Sequence, residues 1–279
     1  FSILNKDNNS KDYSHLEKTF RPSHADYTYS EKYGVRNVSG GGRASARETT
    51  CRVVGGAIAR QLIAHAHEVE ISAYVERVQD ITMPNPPTFY SREEVDASIV
   101  RCPSEDISKR MTLRIENTRD EGDSVGGAIV VVARNIPTGW GEPVFDKLNA
   151  DLAKALMSIP AVKGIEVGSG FSGTLMKGSE HNDLFTSGSD KLVKPASNRS
   201  GGIQGGISNG EEIVLRVAFK PTSTIMNPQE SVDEKGNKTI LEGKGRHDPC
   251  VLPRAVPIVE AMVALVLADH YLRNKISKI

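Results

Sequence analysis

Gly40-Gly41-Gly42-Arg43-Ala44-Ser45-Ala46-Arg47 sets three consecutive glycines in front of two guanidinium groups with a hydroxyl between them. Glycines lack the Cβ that disfavours positive φ, so the backbone can turn sharply and let a large planar or anionic ligand come close. The residues that follow, Glu48 to Ile63, place Val53, Val54, Ala57, Ile58 and Leu62 near a 3.6-residue period and predict a helix. A helix N-terminus behind a glycine turn presents free N–H groups, and Arg43 and Arg47 add formal charge there. A capped helix with surface arginines is the plainer alternative. The density of special residues favours an anion-binding turn.

Further groups share that chemistry. Arg21-Pro22-Ser23-His24 puts a guanidinium near an imidazole, and a neighbouring cation disfavours the charged ring, which suits proton exchange near neutrality. A structural histidine is the alternative there. The glycine-dense run Gly201 to Gly210 is either a flexible loop or backbone pressed against a ligand, and the second reading is preferred. Lys220-Pro221-Thr222-Ser223-Thr224 offers one cation and three hydroxyls, a phosphate cradle or else a polar turn. In Arg246-His247-Asp248-Pro249 a carboxylate beside an arginine stays ionised and, on a desolvated rim, can take or hold a proton.

Together these groups imply a ligand with several negative charges. Gly168-x-Gly170-x-x-Gly173 matches a dinucleotide fingerprint, but Thr174 to Gly178 does not continue as a helix, so such a site is disfavoured. His65 and His67 lack a nearby third ligand and read as a solvated pair. No Walker motif, nucleophile elbow or catalytic-cysteine motif occurs.

A core must position these groups, and 279 residues at 38% hydrophobic and 25% charged can build one large domain or two ordinary ones. Lys plus Arg equals Asp plus Glu at 35 each, so no net field recruits nucleic acid or an acidic membrane, and anion sites must come from local clustering. Cys51, Cys102 and Cys250 are odd in number and lack metal spacing, which points to reduced thiols in a cytosol-like compartment. Ile258 to Ala268, the longest apolar run, contains Glu260 and is too short to span a bilayer.

Strands are expected at Val69–Val78, Gly126–Arg134, Val162–Val167 and Glu212–Phe219, the second buried on both faces. Helices are expected at Ser104–Asn117, Pro143–Ile159 and Pro257–Leu272, the last apolar on nearly every side and therefore central. Met83–Pro87 reads as a linker and Ser187–Gly210 as a long loop. This order lacks regular βαβ alternation and predicts α+β layers.

At the residues quoted above the chain resembles the chorismate synthase family. Two long motifs carry the likeness: Gly40 to Thr49, and Arg246 through Cys250 on to Met262. Arg21–Asp26, Gly178–Asp183, Gly201–Gly210 and Lys220–Thr224 fall between them in the family's order, in wording closest to its eukaryotic branch. The resemblance covers essentially the whole chain. It implies a single domain over 1–279 with a β-α-β sandwich fold, a homotetramer, and a cytoplasmic enzyme, or a plastid one in a plant-like source. The implied reaction is a 1,4-anti elimination that converts 5-enolpyruvylshikimate 3-phosphate to chorismate and phosphate, using reduced FMN, with NADPH as reductant in some branches. By resemblance His24 supplies a proton on the phosphate side, and Arg21, Arg47 and Arg246 clamp substrate anions. Arg43, Ala44, Ser45, Pro160, Ala161, Gly205, Lys220, Pro221, Thr222, Ser223, Thr224 and Arg246 correspond to flavin-binding positions. Asp248, relayed through Ser45, assists removal of the C6 proton.

Three departures from the family pattern are expected to matter. The family's opening block, with a Gly-Glu-Ser-His motif and its flavin-protonating histidine, lies before residue 1. Pro160-Ala161 stands where many members have Asn-Ala, and Trp140 where a leucine is expected, at a subunit contact or on a surface loop. The alternatives are a truncated, inactive homologue kept as a structural subunit, and a generic phosphosugar- or nucleotide-binding module.

Overall fold

The computed structural model describes residues 2–3, 17–37, 46–187, 193–243 and 248–277. Its helices are α1 (Asp26–Tyr33), α2 (Thr49–His67), α3 (Arg92–Asp96), α4 (Glu105–Asp120), α5 (Leu148–Met157), α6 (Gly178–His181) and α7 (Leu252–Ser277). Its strands are β1 (Glu70–Val78), β2 (Ile81–Thr82), β3 (Gly127–Arg134), β4 (Val162–Val167), β5 (Phe185–Thr186), β6 (Lys194–Pro195), β7 (Ile203–Gln204), β8 (Ile207–Ser208), β9 (Ile213–Phe219), β10 (Gln229–Val232) and β11 (Lys238–Leu241). Five strands form one antiparallel sheet in the order β2-β1-β3-β9-β4, and α7, α2 and α5 pack over one of its faces. The mixed α+β architecture matches the expectation.

β3 is buried on both faces, as its β-branched run requires, because it lies between β1 and β9. In β9, Ile213, Leu215, Val217 and Phe219 alternate inward, while Val214, Arg216 and Ala218 line the other face. Arg216 there donates to the buried carboxylate of Glu76 at 2.9 Å.

Several expectations are corrected. The helix predicted from Pro143 begins at Leu148, and Val144, expected on its buried face, is exposed. On α2 the predicted apolar face is the wrong one: Ile58 and Leu62 face outward, whereas Gly56, Ala59 and Ile63 are buried. The reason is the crossing with α7, where any Cβ on Gly56 would collide with the backbone of Ala261. Ser187–Gly210 is not one loop, since its described part holds β6 and the β7–β8 hairpin. Trp140, expected at a subunit contact or on a surface loop, is in the core, 1% exposed, with its ring against Tyr271 and against His67, which is exposed, as is His65. Thr174 to Lys177 does not continue as an α-helix, as expected: a 3₁₀ turn over Gly170–Leu175 ends there with Met176 extended.

α7 is longer than predicted, 26 residues, and by length and composition could cross a membrane, but its sides are buried against the sheet and α2. Pro257 sits inside it and has no N–H to give the carbonyl of Pro253. Arg101 fills the gap: its Nη1 donates to the Pro253 oxygen at 2.7 Å. Truncating Arg101 therefore orphans a carbonyl, and Arg101→Met is expected to cost about 1–3 kcal/mol in denaturant unfolding. In a Pro257→Ala background the restored amide takes over, so the same substitution should cost less. Equal costs in both backgrounds would show that the carbonyl is not the reason for the contact.

Candidate active site

The C-terminal end of β9 is where most of the chemistry-bearing residues converge. Lys220 leaves the strand with its amide bonded to the Ala161 oxygen at 2.9 Å, which places Pro160-Ala161, at the start of β4, beside Lys220-Pro221. Ala161 takes φ +71°, an unusual conformation for a residue with a side chain, so this turn is held by its surroundings. Gly126 allows the chain to pass: a Cβ there would collide with Phe219 and with the backbone of Lys220 and Pro221. Ser124 Oγ then donates to the Thr222 oxygen at 2.8 Å, and Thr222 Oγ1 donates to the Asp248 oxygen at 3.0 Å. The Val125 amide bonds the Pro249 oxygen at 2.8 Å, so Asp248 is fixed next to the Lys220–Thr224 segment from two sides. Its carboxylate pairs with Arg254 at 2.8 Å.

The N-terminus of α2 reaches the same corner. Arg52 in its first turn donates to Ser158 Oγ at 2.6 Å, at the end of α5 and two residues before Pro160. Arg47, in the 3₁₀ turn Ala46–Glu48 that leads into α2, therefore lies at this end of the helix. Burial, and then the neighbouring Lys163, push the ammonium of Lys220 below its ordinary value. Two ammonium groups meet there, and among the described residues neither is in an ion pair with a carboxylate. That is an arrangement suited to an anion.

Arg21 and His24 sit elsewhere. The segment around them docks on the β10–β11 arm through Thr19–Asp233 pairing, Phe20 N to the Val232 oxygen at 3.2 Å, and Ser231 Oγ to the Phe20 oxygen. Arg21 does not face His24 as a bare cation, as the sequence suggested, because the buried carboxylate of Asp26 binds both. Arg21 Nε and Nη2 donate to it at 2.7 and 2.8 Å, and His24 Nδ1 lies 2.9 Å from Oδ1. Burial alone would raise the pKa of Asp26, but hydrogen bonds from Arg21 and His24 outweigh it and hold the carboxyl well below the usual range. With Nδ1 donating to that carboxylate, Nε2 becomes the nitrogen that can gain or lose a proton.

Gly205 forms a third location. It turns the β7–β8 hairpin with Gly206, both at positive φ, and the Gly206 oxygen accepts from the Leu148 amide at the start of α5. Arg43, Ala44, Ser45 and Arg246 lie outside the described residues.

The preferred reading of the Gly201–Gly210 run, backbone pressed on a ligand, is largely corrected. Gly201 and Gly202 are packed against Gly168 and Glu212, and Gly206 against the Lys147 stem; Gly205, unlike them, opens to free space. The fingerprint glycines also have internal reasons, with Gly168 against Arg199 and Gly201, Gly170 against Glu166, and Gly173 against Ser169 and His181. The sequence reading gave no role to Asp26 and Arg254, although both lie inside the quoted motifs, and it missed Lys163, which belongs to none of them. A cleft of about 1110 Å³ lies over Glu76 and Arg216 on the sheet face away from α7, and of the residues singled out above for their chemistry only Gly168 lines it.

The family model of chorismate synthase matches residues 1–272. The chorismate synthase of Prochlorococcus marinus is 59% identical over 273 residues, 98% of this chain and 76% of that protein. That of Synechococcus elongatus is 58% identical over 273 residues, 98% of this chain and 75% of that protein. A crystal structure of chorismate synthase superposes with a TM-score of 0.74 at 29% identity, covering 89% of this chain and 70% of that one. These likenesses support the enzymatic reading and not that of an inactive structural subunit. With its α+β sheet, its cationic corner and relatives at this level of identity, the chain belongs to the chorismate synthase family, flavin-dependent lyases of aromatic amino acid biosynthesis that release chorismate and phosphate from 5-enolpyruvylshikimate 3-phosphate.

Proposed function

We propose that the corner formed by Pro160-Ala161, Lys220–Thr224 and Asp248 receives the phosphate-bearing part of reduced FMN, together with Arg43, Ala44, Ser45, Gly205 and Arg246. The observation that carries this reading is the half-buried ammonium of Lys220 beside Lys163, with no carboxylate paired to either among the described residues. A phosphate dianion would relieve that repulsion and accept hydrogen bonds from the hydroxyls of Thr222, Ser223 and Thr224. When bound, reduced flavin supplies electron density to the breaking allylic C–O bond and recovers it.

The remaining roles belong to the chain itself. Arg21, Arg47 and Arg246 hold substrate carboxylates and phosphate, where planar forks fit bidentate anions. His24 delivers a proton from Nε2 to the departing phosphate, its ring fixed through Nδ1 by Asp26. Asp248, relayed through Ser45, assists removal of the proton from C6, and Arg254 keeps its carboxylate in place. Fixed charges of this kind act on the developing phosphate with little reorganisation.

The same proposal takes the chain as one domain and the working enzyme as a cytoplasmic homotetramer, or a plastid one in a plant-like source. The exposed apolar strip of Ile58 and Leu62 on α2 favours assembly. Light scattering should give four copies per particle, and NADPH consumption in the presence of FMN checks whether the protein reduces its own flavin.

Two outcomes test the corner. Cationic Lys220 is present below its lowered pKa and lost above it, so FMN affinity should fall as pH rises through that value. Lys163→Gln removes the second ammonium, raises the pKa of Lys220 and should move the fall to higher pH; an unshifted limb would argue against the pair. Asp248→Asn should lower anaerobic chorismate formation by about 10²–10⁴-fold with FMN affinity little changed. Full turnover in that variant would remove Asp248 from the mechanism.

A further inference from the structure

We propose that Arg52 is a positioning residue for flavin binding: it sets the spacing between the turn that carries Arg47 and the turn that carries Pro160, Ala161 and Lys220. The inference rests on the reading of that corner as the flavin site, and adds to it a residue that lies in neither turn. The two turns belong to different elements. Arg47 sits in the 3₁₀ turn Ala46–Glu48 ahead of α2, and Arg43, Ala44 and Ser45 come shortly before it in sequence. Pro160-Ala161 joins α5 to β4, and the Ala161 oxygen accepts from the Lys220 amide. α2 and α5 each pack mainly on α7. Apolar packing is non-directional, so it does not by itself fix how far their near ends stand apart.

Arg52 spans the gap with one guanidinium. Nε and Nη2 hold the Glu48 carboxylate at 3.3 and 2.8 Å, which fixes the end of the 3₁₀ turn one residue from Arg47. Thr49 Oγ1 closes the same turn by donating to the Ala46 oxygen at 2.5 Å. Nη1 is left over, and it donates to Ser158 Oγ at 2.6 Å. Ser158 Oγ donates in turn to the Ala155 oxygen at 2.6 Å, so the contact is anchored on the last turn of α5, two residues before Pro160. From there the Val162 amide bonds the Ile159 oxygen at 3.2 Å, closing the Pro160-Ala161 turn, and the Lys220 amide follows. The Met262 thioether of α7 backs the guanidinium at 3.9 Å from Nη1. The side chains of Arg52 and Glu48 are 24% and 25% exposed, so the pair is largely withdrawn from water. A lysine ammonium lacks the planar fork that serves both partners at once. A phosphate that draws donors from both turns binds tightly only while they are held at one spacing, so Arg52 acts on affinity for the phosphate-bearing ligand and not on the chemical step.

Anaerobic titration of the full chain with reduced FMN and with reduced riboflavin tests this, beside turnover at saturating FMN. Arg52→Met should weaken FMN by about tenfold, Arg52→Lys by a similar factor, and riboflavin little, with kcat at saturating FMN within about twofold of the parent. A merely structural loss would instead lower kcat with the folded fraction and leave the affinity of the remainder unchanged. Ser158→Ala should weaken FMN by about threefold, and Ser158→Thr, which keeps the hydroxyl, should not. Ser158 is exposed, so this pair carries the test if the Arg52 variants unfold. Lys220→Gln supplies the decisive comparison. Because both residues act on one phosphate, Arg52→Met/Lys220→Gln should lose less affinity than the product of the two single losses. If Lys220→Gln weakens FMN and the two losses simply multiply, Arg52 has no positioning role and this inference alone is overturned. If Lys220→Gln leaves FMN affinity unchanged, the flavin reading of the corner fails and takes the inference with it.

Discussion

Glu260 is a carboxylate in the middle of the most apolar helix, and the open edge of the sheet is closed around it. β2 covers only the last residues of β1, so the rest of that edge would expose unpaired backbone groups. Glu260 Oε1 accepts from the Ala73 amide at 2.9 Å, while Arg60 and Arg92 approach Oε2 at 3.3 and 3.4 Å. Arg60 also donates to the Ile71 oxygen at 2.7 Å, and the Val75 amide bonds the Arg101 oxygen at 2.9 Å. Burial pushes the Glu260 carboxyl up, and the Ala73 amide and the two arginines pull it back. A charge this far inside holds α2, α3, β1 and α7 to one arrangement, because removing either partner strands the other. The cationic corner inherits that rigidity. Arg47 enters on α2, and Asp248 is paired to the first turn of α7.

The strands were legible in the sequence because β-branched runs such as Ile129–Val132 have few other ways to be buried. Helix faces were less so. Periodicity weighs large side chains, but the closest approach in the core is made by Gly56 against Ala261, and that contact turns Ile58 and Leu62 outward. The start of α7 escaped notice for a related reason. Pro253 and Pro257 look like helix breakers until Arg101, distant in sequence, supplies the missing donor.

The candidate site divides along the same line. Lys220–Thr224, Asp248 and Arg47 stand out because unusual residues cluster along the chain, and the fold gathers them at one end of β9. Asp26 and Arg254 lie inside such clusters but act through their partners Arg21, His24 and Asp248, and Lys163 acts through a neighbour set by topology, so no local pattern marks it. Glycine proved ambiguous. The close packing that makes Gly168 and Gly201 necessary produces the same sequence signature as a ligand pressed on the backbone.

Trp140 is the sole tryptophan, and it is packed between His67 at the end of α2 and Tyr271 on α7, with its backbone bonded to Ser208 of the hairpin. Its intrinsic emission is therefore a native optical probe of the place where α2, α7 and the hairpin meet, readable by light alone without a label.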